Sequence, residues 1–398
     1  MKQLRLFFLC LLATTLGTAC SDDDKNDDNS VPVESITLDR ETLAMKPGMT
    51  ETLIPTIVPD KVSAEEVVWS SDKTSVATVG AGGVVTAVAE GTATITAIAH
   101  EKSATCLVTV VNKSLIISQA ELQAAIDAAD GTADNPTKIT LGVGFNVNGD
   151  YELNAQAGAQ VSNSIAIGNV DGTVPKHIII DGGGNTLTSI QNGYTDFAAD
   201  IIRLHENSTL RLTNITLDGK NKKGNCLIVL EGGSTLTLGN GAAVQNLKNL
   251  DDNFLCRGIS VNRSNNTSST LIVEAGAKLT GIEGIAVESF GCPVRLDGGD
   301  FSGNGTDIRL QYNHLYDTKI EVKAWPTIPD NGKLKIEVSY NPRNANTVVA
   351  TGVDGYTFQN ANGFSLVWVS DFNSHADITS QCSLSLDPSS NSIVINKQ

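Results

Sequence analysis

The sequence has few aromatic residues and few basic residues, and each shortage excludes a class of function. Aromatic residues make up 5 % of the 398 positions, which is too few for a long stacking platform along an extended polysaccharide. Lys and Arg number 28 against 44 Asp and Glu, so the formal net charge is −16. We therefore expect no binding to nucleic acid or to anionic lipid headgroups, because both require a basic surface.

The apolar run at the N-terminus, residues 6–12, is too short to span a bilayer. It follows Lys2 and Arg5 and precedes small residues that lead to Cys20, which is the pattern of a secretory signal. A cysteine directly after small residues resembles the signal of bacterial lipoproteins, although Gly17 stands where that signal usually has Leu. The resemblance implies cleavage before Cys20 and acylation of this residue.

Residues 20–32 form an acidic segment that begins with CSDDDKNDD. This segment resembles the surface-export signal of Bacteroidetes lipoproteins, and the resemblance implies an outer-membrane lipoprotein exposed at the cell surface. The alternative is a solvated spacer, and in either case the segment is too charged to fold. Loss of the signal peptide, residues 1–19, would change the net charge to −18, since this stretch holds two basic residues and no acidic ones.

None of the seven cysteines forms a Cys-x-x-Cys pair of the kind used in redox or metal centres. Apart from the two in the N-terminal segment, we expect them to be buried free thiols that act as small apolar residues. The alternative is a Cys226–Cys256 or a Cys256–Cys292 disulfide, because export permits disulfides. These five cysteines are Cys106, Cys226, Cys256, Cys292 and Cys382.

Residues 33–111 alternate short apolar segments with Pro-Gly, Gly-Gly and Glu-Gly turn signals. Seven short strands, each apolar on one face, predict a β-sandwich with Trp69 as an anchor of its core. The motifs WSSD from Trp69, SVATV from Ser75, GVVTA from Gly83 and EGTATITA from Glu90 resemble the bacterial Ig-like group 2 (BIG2) domain. The resemblance implies a spacer or adhesion module, without catalytic residues.

The Ser118 and Glu121 pair is a capping box that predicts the start of a helix over about 118–130. From about residue 138 onward, apolar triplets separated by Gly, Asn and Asp recur every 20–26 residues or so, which predicts a solenoid. The helix is expected to cover the open N-terminal end of this solenoid.

Two phases of the repeat can be aligned. The first places Leu187 in line with Leu210, Leu236, Leu271 and Val294. The second places Ile202 in line with Ile228, Ile259, Ile285 and Ile308. We expect the members of each phase to stack on one another, one per coil.

The segment IIIDGGGNTL from Ile178, with ITLDG from Ile215 and VRLDGG from Val294, resembles the right-handed parallel β-helix proteins of the pectate-lyase-like superfamily. The resemblance covers residues 112–312. It implies an all-β chain, in which an Ig-like β-sandwich precedes a right-handed single-stranded parallel β-helix with an N-terminal capping α-helix. Residues 313–398 are expected to add β-rich coils or a cap, with Trp368 in a buried strand.

Candidate catalytic residues lie near an insertion at residues 246–257. Asp251 and Asp252 resemble the paired aspartates of β-helix glycosidases, with Arg257 close behind, and Arg295 lies further along the chain. Adjacent strand residues point to opposite faces, so only a turn would bring both carboxylates together. The Gly-His-Gly and Arg-x-Lys elements of the polygalacturonase-like family are absent, as are a Ser-His-Asp order, zinc spacing and a phosphate loop.

Asp297, Asp300 and Asp307 cluster in the sequence and are the candidate Ca²⁺ ligands. The run Asp-Gly-Gly-Asp at 297–300 suits a turn equally well, and no other cofactor is expected. His177 and His205 are expected to be surface histidines at strand ends. The candidate sugar contacts are the aromatic residues in or near predicted turns, Tyr194, Phe254, Phe290, Tyr312 and Tyr316.

Taken together, these features favour a non-catalytic, surface-anchored adhesin or carbohydrate-binding protein whose partner is a polysaccharide, a host glycan or host matrix. One alternative is a polysaccharide lyase or glycoside hydrolase that works in a groove near Asp251, Asp252, Asp297 and Arg295. A further alternative is a structural envelope protein without a ligand.

Overall fold

The computed structural model describes residues 33–397 with internal gaps. The residues left out within this range are 60–66, 143–149, 156–163, 170–172, 192–196, 199, 251–254, 265, 312–317, 329–331, 341–346 and 372–376. The described chain is almost entirely β, with one α-helix.

The first part of the chain is a β-sandwich of nine short strands. The strands are β1 (Ser35–Leu38), β2 (Thr42–Met45), β3 (Thr50–Thr52), β4 (Pro55–Val58), β5 (Val68–Ser71), β6 (Ala77–Val79), β7 (Val84–Ala87), β8 (Gly91–Ala99) and β9 (Lys102–Val110). They pair as β1–β4, as β3–β7–β6 and as β2–β9–β8–β5. Burial alternates along β8 and β9, as expected for strands with one face in a core.

Two of the nine strands were not foreseen as separate elements. The apolar segment over residues 51–57 counts as one of the seven expected strands, but it contains parts of both β3 and β4, which belong to different sheets. Strand β2 was not predicted, and it pairs in parallel with β9. Trp69 is half-buried and packs against both apolar clusters of the sandwich. Gly83 is required beneath it, since a Cβ there would lie 2.7 Å from Trp69 Cζ2.

The rest of the chain winds through three parallel sheets. Sheet 1 contains β10 (Thr137–Thr140), β13 (His177–Asp181), β17 (Thr209–Thr213), β20 (Thr235–Leu238), β25 (Thr270–Glu274), β28 (Val294–Asp297), β30 (Ile320–Ala324) and β32 (Thr347–Gly352). Sheet 2 contains β11 (Asp150–Ala155), β14 (Thr186–Gln191), β18 (Thr216–Gly224), β21 (Ala243–Lys248) and β26 (Lys278–Ile282), with β15 (Phe197–Ala198) beside β18. Sheet 3 contains β12 (Ile165–Ile167), β16 (Ile202–Leu204), β19 (Cys226–Leu230), β22 (Arg257–Val261), β27 (Ile285–Phe290), β29 (Thr306–Gln311), β31 (Leu334–Tyr340) and β33 (Phe364–Asp371).

Successive strands enter sheet 1, sheet 2 and sheet 3 in turn, so each coil of the chain lies on the coil before it. This topology is a parallel β-helix, and the predicted fold class is confirmed. Right-handed winding is the sense that parallel connections adopt almost without exception. A short hairpin of β23 (Arg263–Ser264) and β24 (Thr267–Ser268) extends one coil.

The N-terminal end of the β-helix is covered by α1 (Gln119–Ala128), which buries Leu122 and Ile126 against the end of the core. Ser118 caps this helix, because its Oγ accepts a hydrogen bond from the Glu121 backbone N at 3.2 Å.

The Glu121 carboxylate makes two contacts at the start of α1. It accepts a hydrogen bond from the Ile117 backbone N at 3.0 Å, which satisfies a free donor near the helix N-terminus. Its other oxygen lies 2.9 Å from Lys46 Nζ in the sandwich. One side chain therefore caps the helix and also bonds to the preceding module.

The core of the β-helix consists of stacks of aliphatic residues, to which each coil contributes from its strands. In sheet 1, Leu210, Leu236, Leu271 and Val294 are aligned as the first repeat phase predicts. Leu187 is not part of this stack, because it lies in sheet 2 opposite Leu217.

The place next to Leu210 in sheet 1 is taken by Ile178. In sheet 3, Ile259 is followed by Val287, while Ile285 lies opposite Arg257. The first alignment failed at Leu187 because similar apolar triplets recur in different sheets of one coil. The second failed at Ile285 because Val287, two residues further along the same strand, is also apolar and takes the place in the stack.

Sheet 2 ends before the other two sheets do. Among the described residues it continues after β26 as single bridges at Asp300 and Thr327, whereas sheets 1 and 3 continue through β32 and β33. An antiparallel pair, β34 (Cys382–Asp387) and β35 (Ser392–Lys397), then closes the C-terminal end against β32. Trp368 lies in a strand as predicted, but it is half-buried rather than buried.

None of the five cysteines of the described chain forms a disulfide with another, and all except Cys382 are buried. The predicted small apolar role therefore holds for four of them. Loss of hydration on burial raises the pKa of Cys226 to about 12 and the pKa values of Cys106 and Cys256 to about 11. These thiols stay protonated and unreactive near neutral pH.

Candidate functional site

The last coils carry a pocket where sheet 2 has ended. Between β32 and β33 the chain follows a loop, residues 353–363, in the place that a sheet 2 strand occupies in earlier coils. The loop starts with Val353, whose backbone N donates to Val322 O of the coil below at 2.9 Å. The cavity measures about 220 Å³ and is lined by Trp325, Tyr356, Thr357, Phe358, Gln359, Asn360, Gly363 and Phe364.

Four aromatic rings form the apolar part of the pocket. The Trp325 and Phe364 rings meet edge to face at 5.0 Å between centroids, and so do Tyr356 and Phe358 at 5.2 Å. Phe358 and Phe364 join the two pairs at 5.8 Å. Edge-to-face contacts of this kind stabilise aromatic pairs beyond the area they bury. Phe358 and Phe364 are buried and form the floor, while Trp325 and Tyr356 are half-buried walls.

The rim of the pocket is polar and uncharged. Thr357, Gln359 and Asn360 are exposed, and they offer one hydroxyl and two amides. Burial raises the pKa of the Tyr356 hydroxyl above its ordinary value, so this group is a neutral hydrogen-bond donor under physiological conditions. An apolar cavity with a few polar groups at its edge is the usual composition of a small-molecule site.

Asn391, the last residue of the turn before β35, fixes the shape of the pocket loop. Its Nδ2 donates to Tyr356 O at 2.7 Å, and its Oδ1 accepts from the Phe358 backbone N at 3.0 Å. Its φ of +49° lies in the left-handed region, which Asn tolerates better than most residues. The side chain thus replaces the ladder hydrogen bonds that a sheet 2 strand would have supplied.

Close packing around the pocket requires glycine at two positions. A Cβ on Gly363 would lie 2.6 Å from Trp325 Cζ2, so only glycine lets the indole approach this backbone so closely. A Cβ on Gly352 would collide with Asn391 Nδ2. The pocket therefore depends on the indole of Trp325, on the Asn391 side chain that holds the loop, and on two glycines whose missing side chains leave room for both.

Several of the predicted site residues lie outside the described residues. They are the lipidation candidate Cys20, the aspartates Asp251 and Asp252, and the aromatic residues Tyr194, Phe254, Tyr312 and Tyr316. Phe290, the remaining sugar-contact candidate, ends β27 and is 37 % exposed. It is not among the residues that line the pocket.

The two candidate arginines are on different sheets. Arg257 begins β22 in sheet 3, whereas Arg295 lies in β28 of sheet 1. Arg295 bonds to Asp297 at 2.7 Å and to Asp354 at 2.5 Å. These carboxylates, Asp297 foremost, raise the pKa of Arg295, so it does not act as a proton-accepting base.

The three candidate calcium ligands are also separated. Asp297 ends a strand of sheet 1, Asp300 bridges along the line of sheet 2, and Asp307 is buried in sheet 3. The Asp307 carboxylate accepts hydrogen bonds from Asn304 Nδ2 at 3.1 Å and from the Lys335 backbone N at 2.8 Å. Among the described residues, no group of three or more His, Cys, Asp and Glu side chains is placed to hold a metal ion.

Arg257 belongs to an ion-pair network on the outer face of sheet 3. Glu288, only 1 % exposed, is bonded by both Arg257 and Arg309. Arg309 also bonds to Glu337 at 2.5 Å and lies 6.0 Å from the Trp368 ring centroid. Such buried pairs are costly to break, and both carboxylates are already occupied by arginine. We assign this network a structural role.

Sequence reasoning missed the aromatic pocket. Its strongest signal is the segment YTFQNANGF, which places Tyr356, Phe358 and Phe364 within nine residues of an aromatic-poor chain. Trp325 lies one coil earlier, and only the stacking of coils brings it to the other three rings.

The comparison with known families concerns the first module. Residues 32–110 match the family model of the bacterial Ig-like domain (group 2). This segment is an Ig-like module. The match is to the same family that the motifs beginning at Trp69, Ser75, Gly83 and Glu90 resemble. An Ig-like module of this type suggests a surface or adhesion role. No curated protein matches the chain. No helix in the described part of the chain is long and apolar enough to cross a membrane.

Proposed function

We propose that the chain is a non-catalytic glycan-binding protein of the cell surface, in which the Ig-like module carries a β-helix and the aromatic pocket of the last coils binds sugar. The pocket is the observation that carries this proposal. It gathers four of the nineteen aromatic residues in the chain (3 Trp, 6 Tyr and 10 Phe) next to exposed amide and hydroxyl groups.

The chemistry of a sugar ring suits this arrangement. A pyranose has a face of C–H groups and an edge of hydroxyls. Aromatic rings pack against the apolar face with little loss of side-chain entropy, and amides bond to the hydroxyls. Trp325 and Tyr356 are half-buried, so part of each ring is accessible for this contact. Thr357, Gln359 and Asn360 lie at the edge where hydroxyl groups would emerge.

Display at the surface is part of the proposal. The N-terminal pattern favours an outer-membrane lipoprotein anchored at Cys20, with residues 20–32 as an acidic tether. The Ig-like module then acts as a spacer between anchor and β-helix. The net charge of −16 favours glycan or matrix partners over nucleic acid.

The test is electrophoresis of the full-length chain in native gels cast with neutral or acidic polysaccharides. We expect at least one polymer to retard the wild-type protein without loss of the polymer. Trp325→Ala and Tyr356→Ala should each weaken binding by about tenfold or more, as loss of a central aromatic contact does.

Phe290→Ala is the matched control, because it removes an exposed aromatic ring away from the pocket. It should leave retardation unchanged, and circular dichroism establishes that each variant is folded. Retardation that survives both pocket substitutions would show that sugar binds elsewhere. Cleared polymer would instead indicate the lyase or glycosidase alternative, and no retardation on any gel would favour the structural one.

A further inference from the structure

We infer that the pocket takes a single uncharged sugar ring and discriminates against uronic acids. This inference rests on the proposed function and specifies its ligand class. None of the eight lining residues carries a charge. A carboxylate that entered the pocket would lose hydration without gaining a cationic partner, and burying an unpaired charge is strongly unfavourable.

The nearest cations along the chain are already neutralised. Asp354 lies two residues before Tyr356 and bonds to Arg295 Nη2 at 2.5 Å, with Lys323 Nζ at 3.7 Å. Asp297 contacts the same two cations, at 2.7 Å and 3.8 Å. Two positive and two negative charges therefore balance within this cluster. The net charge of −16 adds a general repulsion of anionic ligands.

The size of the pocket limits the ligand to one ring. Its volume of about 220 Å³ is below the ~300–1,000 Å³ typical of pockets for drug-sized ligands. Phe358 and Phe364 close the floor, since they are 5 % and 4 % exposed. The shape therefore suits a terminal or branching sugar residue that projects into the cavity.

This preference is the opposite of what the lyase alternative requires. A lyase that eliminates at a uronate needs a group that neutralises the carboxylate, whereas none of the residues that line the pocket is cationic. The two expectations give opposite rankings of the same ligands, so one titration separates them.

The experiment titrates the full-length chain with matched pairs of methyl glycosides. Methyl glucoside is compared with methyl glucuronoside, and methyl galactoside with methyl galacturonoside, so that the members of a pair differ only at C6. Binding is followed by tryptophan fluorescence and by saturation-transfer NMR. We expect the neutral member of at least one pair to bind about tenfold more tightly than its acid or better, and Trp325→Ala to abolish the difference.

Gln359→Lys provides a gain-of-function arm, because it places a cation at the rim of the pocket. We expect it to improve the affinity for the uronoside several-fold, in a manner that added salt suppresses. The matched control is Thr92→Lys, an exposed position of the Ig-like module that adds the same charge elsewhere. It should leave both affinities unchanged.

Equal or tighter binding of the uronoside through Trp325 would overturn the inference on ligand class and leave the proposed function standing. Retardation by polymers without binding of any monosaccharide would overturn the single-ring inference. If neither polymers nor glycosides bind, the proposed function itself is wrong.

Discussion

The burial of one histidine differs from the prediction made from the sequence. His205 was expected at the surface, yet it is 5 % exposed. Its Nδ1 lies 2.8 Å from Glu231 Oε2, and Arg203 Nη1 donates to the other oxygen at 3.0 Å. The hydrogen bond with His205, followed by that with Arg203, lowers the pKa of Glu231 below its ordinary value of 4.5.

This lowered pKa predicts a dependence of stability on pH. A carboxylate with a depressed folded-state pKa stabilises the fold above its unfolded value, about 4.5, and this contribution is lost as the pH falls through the lower folded value. Glu231→Gln should therefore be less stable than the wild type at pH 7, with a smaller further loss between about pH 5 and pH 3.

The measurement is the melting temperature of both proteins from pH 7 to pH 3. Glu101→Gln, at an exposed position of the Ig-like module, serves as the control and should follow the wild-type curve. Parallel curves for Glu231→Gln and the wild type would contradict the lowered pKa.

The pocket loop is an element that depends on one distant side chain. Asn391 bonds to Tyr356 O and to the Phe358 backbone N, although it is more than 30 positions away in the sequence. Asn391→Ala leaves a backbone donor and acceptor unpaired, which typically costs about 1–3 kcal/mol for a buried group. We expect a lower free energy of unfolding and weaker sugar binding.

Two further substitutions separate the causes. Asn391→Gly preserves the positive φ but removes both hydrogen bonds, so it should weaken sugar binding about as much as Asn391→Ala does. Asn391→Asp retains an acceptor for Phe358 N and should lie between these variants and the wild type. Denaturant unfolding and sugar titration provide both readouts. Wild-type sugar affinity in Asn391→Ala would show that the Asn391 side chain does not shape the pocket.

Among the structural elements, the sequence predicts helices and strands better than the loops between them. The capping box at Ser118 located α1, and alternation of apolar residues located most strands. The pocket was missed because it arises where sheet 2 stops, and no local pattern marks the end of a sheet. Trp325, which supplies the indole, and Asn391, whose side chain holds the loop, are about 65 positions apart in the sequence. Only the stacking of coils brings both to the same loop.

For the whole molecule, the stacked core is the main source of stability in the β-helix. Leu236 is fully buried between Leu210 and Leu271. Leu236→Ala should lower the free energy of unfolding of the β-helix by about 2–5 kcal/mol, through lost burial and a residual cavity.

The buried thiols report on each module separately. In Leu236→Ala, we expect Cys226 and Cys256 of the β-helix to become reactive at lower denaturant concentration, while Cys106 of the Ig-like module keeps its wild-type profile. Alkylation followed by peptide mass spectrometry measures each site. A shift of Cys106 together with the other two would show that the modules unfold as one unit, coupled through contacts such as Lys46–Glu121.

The β-helix fold was predictable because the same sequence pattern recurs in each coil. Each coil carries its own apolar triplets and turn residues, so errors of alignment at Leu187 and Ile285 did not change the predicted architecture. The Ig-like module was predictable for a different reason, since its motifs follow one another in a fixed order. The aromatic pocket is formed by one loop and is not part of the repeat, so the repeating pattern of the coils does not predict it.

The number of coils that precede the pocket determines how far the pocket lies from the start of the β-helix. Sheet 3 has eight strands, so at about 4.8 Å per step some 34 Å of β-helix separates β12 from β33. Each coil inserted into or deleted from the middle of the stack would move the pocket outward or inward by one such step, with its own geometry intact. The number of coils thus sets the distance between the first coil of the β-helix and the pocket.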